Sequence, residues 1–159
     1  MVTIVIGKIN AGKTSTLLKQ YQSERKGDGF VAVKVFDAGK AIGYNLRRLS
    51  SNEQTPWMID SDHYKNDFKQ WGTIGQYYFD LELLTDIENI LKEMVRSNVS
   101  PIYLDEIGRL ELASLGFDAI FKYLLAMNVD LIIAVRAEFV DEVVSHYHIK
   151  EFQKVVLTV

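Results

Sequence analysis

The sequence predicts an α/β protein built on a mainly parallel sheet that carries one antiparallel hairpin. Three observations predict it. Residues 1–6 (MVTIVI), 101–104 (PIYL) and 130–135 (DLIIAV) are short apolar runs with the length and β-branched content of fully buried strands. Segments of helical periodicity stand between them, and strands alternating with helices pack as a parallel sheet covered on both faces. Residues 30–36 (FVAVKVF) and 41–46 (AIGYNL), joined by Asp37-Ala38-Gly39-Lys40, read instead as two strands running antiparallel through a turn.

The first strand leads directly into Gly7-Lys8-Ile9-Asn10-Ala11-Gly12-Lys13-Thr14, which satisfies G-x-x-x-x-G-K-[ST] at every fixed position. The spacing has a chemical reason. A triphosphate needs many donors converging on a small anionic cluster, and backbone N–H groups can be packed that densely. Glycine permits the loop to wrap closely because it has no Cβ and accepts positive φ. A helix predicted over residues 14–23, with Leu17, Leu18 and Tyr21 on one face, then aims its first amides, Ser15 included, at the same anion. In this setting Lys13 reaches the β- and γ-phosphates and the Thr14 hydroxyl ligates Mg²⁺.

Residues 24–29 form a polar, glycine-rich connection to the hairpin. Arg47 and Arg48 follow it, either touching a phosphate from a mobile loop or simply solvated. Residues 55–59 read as a short strand, and residues 60–73 as a loop or lid-like insertion. Trp57, Trp71, Tyr77, Tyr78 and Phe79 are candidates for stacking on a nucleobase, with the core as their ordinary destination. Residues 80–96 give the clearest helix, from Leu84, Ile87, Leu91, Met94 and Val95 at helical spacing. Phe117, Ile120, Phe121, Leu124 and Leu125 mark another. Phe139/Val143 and Val140/Val144 pairs mark a third over residues 139–146, and residues 155–159 (VVLTV) close the sheet.

The strand at 101–104 ends in Asp105-Glu106. A carboxylate at the end of an apolar strand can contact the metal of a Mg²⁺–triphosphate, and Asp105 fits. Glu106 is then placed to orient a water aimed at the γ-phosphate, or to take its proton. Glu111 reads as an exposed or salt-bridged carboxylate. Arg136, ending the strand at 130–135, either offsets charge developing on the γ-phosphate or forms a structural ion pair. His63, His146 and His148 are too scattered for a metal site. Asp105-x-x-Gly108 matches the D-x-x-G of regulatory GTPases, but no [NT]-K-x-D guanine motif accompanies it. The nearest string, Tyr64-Lys65-Asn66-Asp67, lacks the leading Asn or Thr.

Size and composition suit one domain spanning residues 1–159 with a sizeable core. The absence of cysteine excludes disulfides, thiolate zinc sites and thiol catalysis, and a net charge of −3 gives no electrostatic case for nucleic acid or anionic membrane. A chain that opens in a strand and has no apolar run of about 20 residues is expected in the cytoplasm.

The run Asp105-Glu106-Ile107-Gly108-Arg109-Leu110-Glu111-Leu112 resembles the D-E-I-G-x-x-E-L signature of a small nucleoside-triphosphatase family. That family includes the thermophile nucleoside triphosphatases and the human cancer-related nucleoside-triphosphatase. The phosphate loop, Gly29-Phe30, Gly43-Tyr44 and Gly75-Gln76-Tyr77-Tyr78 carry the likeness over nearly the whole chain. The resemblance implies a three-layer RecA-type P-loop fold and Mg²⁺-dependent hydrolysis of ATP, GTP and other nucleoside triphosphates. It implies Lys13 and Thr14 on phosphate and metal, Asp105 on Mg²⁺ and Glu106 with the water. Two departures stand out. Lys40-Ala41-Ile42 replaces the segment where relatives often carry an arginine, and the sequence stops at Val159 where many continue into a further helix. The competing functions are a P-loop kinase of a nucleoside or other small metabolite and a non-catalytic nucleotide-binding module.

Overall fold

The computed structural model describes residues 1–158. One continuous sheet runs through it. Its strands are β1 (Val2–Gly7), β2 (Asp28–Asp37), β3 (Lys40–Arg48), β4 (Gln54–Asp60), β5 (Trp71–Ile74), β6 (Tyr77–Asp80), β7 (Ile102–Leu104), β8 (Leu131–Arg136) and β9 (Phe152–Val156). They lie in the order β5-β6-β4-β3-β2-β7-β8-β1-β9. Strands β2, β7, β8, β1 and β9 are parallel, and β8 stands between the phosphate-loop strand and the strand that ends in the acidic pair. The hairpin expected at 30–46 is present as β2–β3, and antiparallel pairing continues outward through β4, β6 and β5.

This antiparallel wing is larger than the sequence suggests, because its outer strands carry weak signals. Strand β4 holds Pro56, and β5 is short and half exposed. The turn between β5 and β6 is the two-residue Gly75-Gln76, with Gly75 in the left-handed region at φ 56°. Gly-x between two short apolar runs is a hairpin signal that a search for longer strands passes over. The insertion shrinks accordingly to residues 61–70. It is held by Tyr64 stacked on Tyr78 at 4.2 Å, and by His63, whose ring lies 2.7 Å from Asp60 and 3.4 Å from Asp37. The closing strand is shifted to Phe152–Val156, and Val159 lies outside the described residues.

Helices α1 (Lys13–Glu24), α2 (Leu81–Arg96), α3 (Arg109–Leu112), α4 (Asp118–Ala126) and α5 (Val140–His146) complete the chain, with a short 3-10 turn at Ala137–Phe139. Alternation along the central strands sorts them into layers. Val5, Val31, Tyr103, Ile132 and Ala134 point to one face, where Leu17, Leu18 and Tyr21 of α1 meet them. Ile4, Phe30, Leu104 and Ile133 point to the other, against the apolar sides of α2 and α4 and against Val140 and Val143 of α5. Three layers result, as expected. Asp80 caps α2 by accepting from the amides of Glu82 and Leu83, so the helix starts where its apolar stripe begins.

Candidate active site

The functional residues gather at the carboxyl edge of the parallel strands, the usual ligand position in such sheets. Gly7 ends β1 opposite Arg136 at the end of β8. After Leu104, the amide of Asp105 donates to the carbonyl of Phe30 and that of Ile107 to the carbonyl of Ala134. Register alone therefore brings three loops to one edge.

The phosphate loop is a tight arch. A Cβ on Gly7 would sit 3.0 Å from the Ala11 methyl, and Gly12 adopts φ 95°, a conformation that disfavours any side chain. Lys8, Ile9 and Asn10 form its exposed crest, with Asn10 in the left-handed region and its carboxamide oxygen accepting from Lys34 of β2. Lys13 is buried, and its ammonium donates to the Lys8 carbonyl at 2.8 Å, folding back across the arch. Among the described residues no side chain caps the first turn of α1, so its leading amides face the arch. Ser15 is exposed beside them.

Thr14 and Asp105 meet directly. The threonine hydroxyl donates to Asp105 Oδ2 at 2.5 Å, and the Ala32 amide donates to the same oxygen at 3.1 Å. Asp105 Oδ1 is buried and has no hydrogen-bond partner among the described residues. Burial, reinforced by the neighbouring Glu106 charge, pushes the Asp105 carboxyl up to about 6, although the Thr14 and Ala32 bonds pull the other way. A buried carboxylate with a bare oxygen beside a hydroxyl is the donor set of a hard cation, and this pair fits Mg²⁺.

Glu106 is half exposed and has φ 60°, a conformation costing a non-glycine residue about 1 kcal/mol or more. Arg136 stands alongside, its Nε 4.0 Å from Glu106 Oε2 and its Nη1 3.8 Å from Glu138. Both readings of Arg136 thus meet in one place, since it pairs with acids and also borders the loop that would hold phosphate. The other arginine pair is not here. Arg47 and Arg48 lie on β3, where Arg48 bonds the buried Asp28 at 3.0 Å and Arg47 bonds Asn52.

Glu111 departs most from expectation. It is only 1% exposed, and it reaches back to the amides of Gly108 at 2.8 Å and Phe117 at 2.9 Å. It therefore staples the turn that follows the acidic pair, and Tyr147 fastens the same turn, its hydroxyl donating to Asp118 at 2.6 Å and lying 3.2 Å from the Glu111 carbonyl. Nothing in the sequence marks the distant Tyr147. The signal for Glu111 was its i+3 spacing from Gly108, half of a capping box. Burial pushes the Glu111 carboxyl up to about 7, against the pull of both amides. With a folded-state value above its ordinary 4.5, its contribution to stability is complete in acid and is lost as pH rises through 7. The melting temperature of the metal-free protein should fall between pH 5.5 and pH 8. Glu111→Gln should flatten that slope while lowering stability overall, because one amide then faces an NH₂ group. Equal slopes in both proteins would refute the assignment.

Behind Glu106, on the face of the sheet away from α1, lies a cavity of about 190 Å³ walled by Tyr44, Trp57, Met58, Ile74, Tyr77 and Phe139. Of the phosphate loop it touches Ile9 alone. The aromatic candidates divide. Trp57 and Tyr77 line this cavity, Phe79 is core, and Trp71 packs edge-on against Tyr78 at the surface.

Comparison with known proteins bears on the whole chain. The nucleoside-triphosphatase THEP1 of Thermotoga sp. (strain RQ2) is 22% identical over 156 residues, covering 96% of this chain and 86% of that protein. THEP1 of Thermotoga petrophila is 24% identical over 157 residues, covering 96% and 83%. The fold is shared with the crystal structure of THEP1 from Aquifex aeolicus, at a TM-score of 0.71 and 21% identity over 99% of this chain and 90% of that one. It is shared as well with the solution structure of a human cancer-related nucleoside triphosphatase, at a TM-score of 0.67 and 22% identity over 98% and 88%. The model of the NTPase family matches residues 2–159, and with that match over a phosphate loop, an acidic pair and their common sheet edge, the chain belongs to the NTPase family.

Proposed function

We propose that this chain hydrolyses nucleoside triphosphates, ATP and GTP among them, to diphosphate and phosphate, with Mg²⁺ and as a single cytoplasmic domain. The observation that carries the reading is the 2.5 Å bond from Thr14 to a buried Asp105 whose second oxygen is bare, with Glu106 as the next residue. Names of relatives point to the same chemistry.

In this reading the arch from Gly7 to Gly12, with the amides of Lys13, Thr14 and Ser15, surrounds the phosphates. Lys13 exchanges the Lys8 carbonyl for phosphate oxygen, so its buried charge has a partner before and after binding. Thr14 and Asp105 would hold Mg²⁺, which when bound supplies charge neutralisation at the β- and γ-phosphates. One carboxylate and one hydroxyl suffice, because Mg²⁺ in such sites takes its other oxygens from phosphate and water. Glu106 holds the attacking water in line with the γ-phosphate and receives its proton. Arg136 borders the same point and offsets the charge that spreads over the γ-oxygens.

No described helix is long and apolar enough to cross a membrane, and the reading involves neither nucleic acid nor membrane. The test is phosphate release from ATP, GTP, CTP and UTP with Mg²⁺ and again with EDTA. Release from several nucleotides that stops with EDTA is expected. Tight nucleotide binding without release, or release that persists in EDTA, would sink the proposal.

A further inference from the structure

The cavity behind Glu106 is too large for the task that hydrolysis sets it. A single water needs about 10–15 Å³ of such space, and an apolar cavity of about 150 Å³ holds benzene. The space here is about 190 Å³. Its walls are aromatic and apolar, and one of them is the acid that orients the nucleophile. Tyr44 and Tyr77 stand with ring centroids 6.4 Å apart and planes tilted by 53°, and Ile9, also on the lining, leaves a 58% exposed apolar side chain. Its charged lining residues are Asp105, Glu106, Arg109, Glu111 and Arg136, and Tyr44 and Tyr77 add phenol groups to the apolar walls. A site walled mainly by apolar and aromatic side chains with a proton acceptor among them suits a molecule with an apolar ring and a hydroxyl.

The nucleoside is an unsuitable occupant. Phosphates cradled by Gly7–Thr14 would meet the uncapped first turn of α1, a helix that packs on the opposite face of the sheet from the cavity. Of the phosphate loop the cavity touches Ile9 alone, which leaves it off the path that the nucleotide reading gives the base.

We propose that the cavity bordered by Tyr44, Trp57, Ile74, Tyr77 and Glu106 is an acceptor site for a small one-ring alcohol, which takes the γ-phosphoryl group in place of water. The proposal rests on the nucleotide reading above and adds a second substrate to it. The alcohol oxygen attacks the γ-phosphorus and forms the new O–P bond. The bond from γ-phosphorus to the bridging oxygen breaks, its electron pair stays with the nucleoside diphosphate, and the hydroxyl proton passes to Glu106 and then to solvent. The products are an alkyl phosphate and the diphosphate, with no other reactant required. Water reaches the same point when the cavity is empty, so hydrolysis and transfer share one site.

Benzyl alcohol is the simplest probe with this chemistry. The full chain would be incubated with ATP, Mg²⁺ and increasing benzyl alcohol, and the products followed by ³¹P NMR. Benzyl phosphate should appear beside inorganic phosphate, in a share that rises with the alcohol, while nucleotide turnover increases several-fold. Ile74→Trp, on a half-exposed edge strand, fills the cavity and should lower that share, and the milder Ile74→Phe should act in the same direction. Inorganic phosphate as the sole product up to the solubility limit of the alcohol, with hydrolysis intact, would overturn this proposal and leave the hydrolase reading standing. A benzyl phosphate share indifferent to both substitutions would overturn it as well. Absence of either product would overturn both readings together.

Discussion

Glu106→Gln should lower phosphate release by about 10²–10⁴-fold while nucleotide affinity stays within a few-fold, since removing a positioned proton acceptor typically costs that much. The amide keeps the length and shape of the side chain and can still hold a water, but it cannot take the proton. Glutamine meets the same backbone cost as glutamate at φ 60°, so the turn and its neighbours have no reason to move. Glu106 is half exposed and its one charged partner among the described residues, Arg136, is 4.0 Å away, which limits any loss of folding stability. Phosphate release and equilibrium nucleotide binding, measured on the same preparation, check the result. A variant that binds normally and still turns over at the wild-type rate would remove Glu106 from the mechanism.

Asp105→Asn should have opposite effects on activity and on the stability of the metal-free protein. Its turnover with Mg²⁺ should fall by two orders of magnitude or more, because interactions of this kind are worth several kcal/mol in the transition state. The metal-free fold, by contrast, should be as stable as wild type at pH 8, or more so. Burial raises the Asp105 carboxyl from 3.8 to about 6. The folded protein therefore binds a proton more readily than the unfolded chain, and above pH 6 the ionised group opposes folding, by roughly 3 kcal/mol at about 1.4 kcal/mol per unit. Asparagine keeps an oxygen for the Thr14 hydroxyl and the Ala32 amide and carries no charge. The advantage should shrink as pH falls from 6 toward 4, where the folded aspartate takes up its proton and no longer carries a buried charge. Denaturant unfolding in EDTA at pH 8 and pH 5 tests this. A variant less stable than wild type at pH 8 would show that the Asp105 charge stabilises the fold instead of serving a ligand.

By itself the sequence determined the α/β class, the phosphate loop and the acidic pair, because each is a local pattern. A β-branched run of six residues makes a buried strand wherever it is placed, and G-x-x-x-x-G-K-[ST] needs only the strand before it and the helix after it to close its arch. Asp105 and Glu106 were legible for the same reason, as carboxylates ending an apolar run. The wing β4-β6-β5 was only partly legible, since half-exposed strands with Pro56 and Gly72 carry little periodicity. Only the tertiary structure decided what depends on distant partners. Glu111, read as exposed or salt-bridged, became a buried staple because the turn at residues 105–117 closes around it and Tyr147 locks it from 36 residues away. Arg48, read as touching a phosphate or simply solvated, pairs instead with the buried Asp28, which only strand pairing brings within reach. The cavity behind Glu106 belongs to no segment at all. It exists because β3, β4 and β6 stand opposite the loops after β7 and β8, and space between elements is a property of their packing.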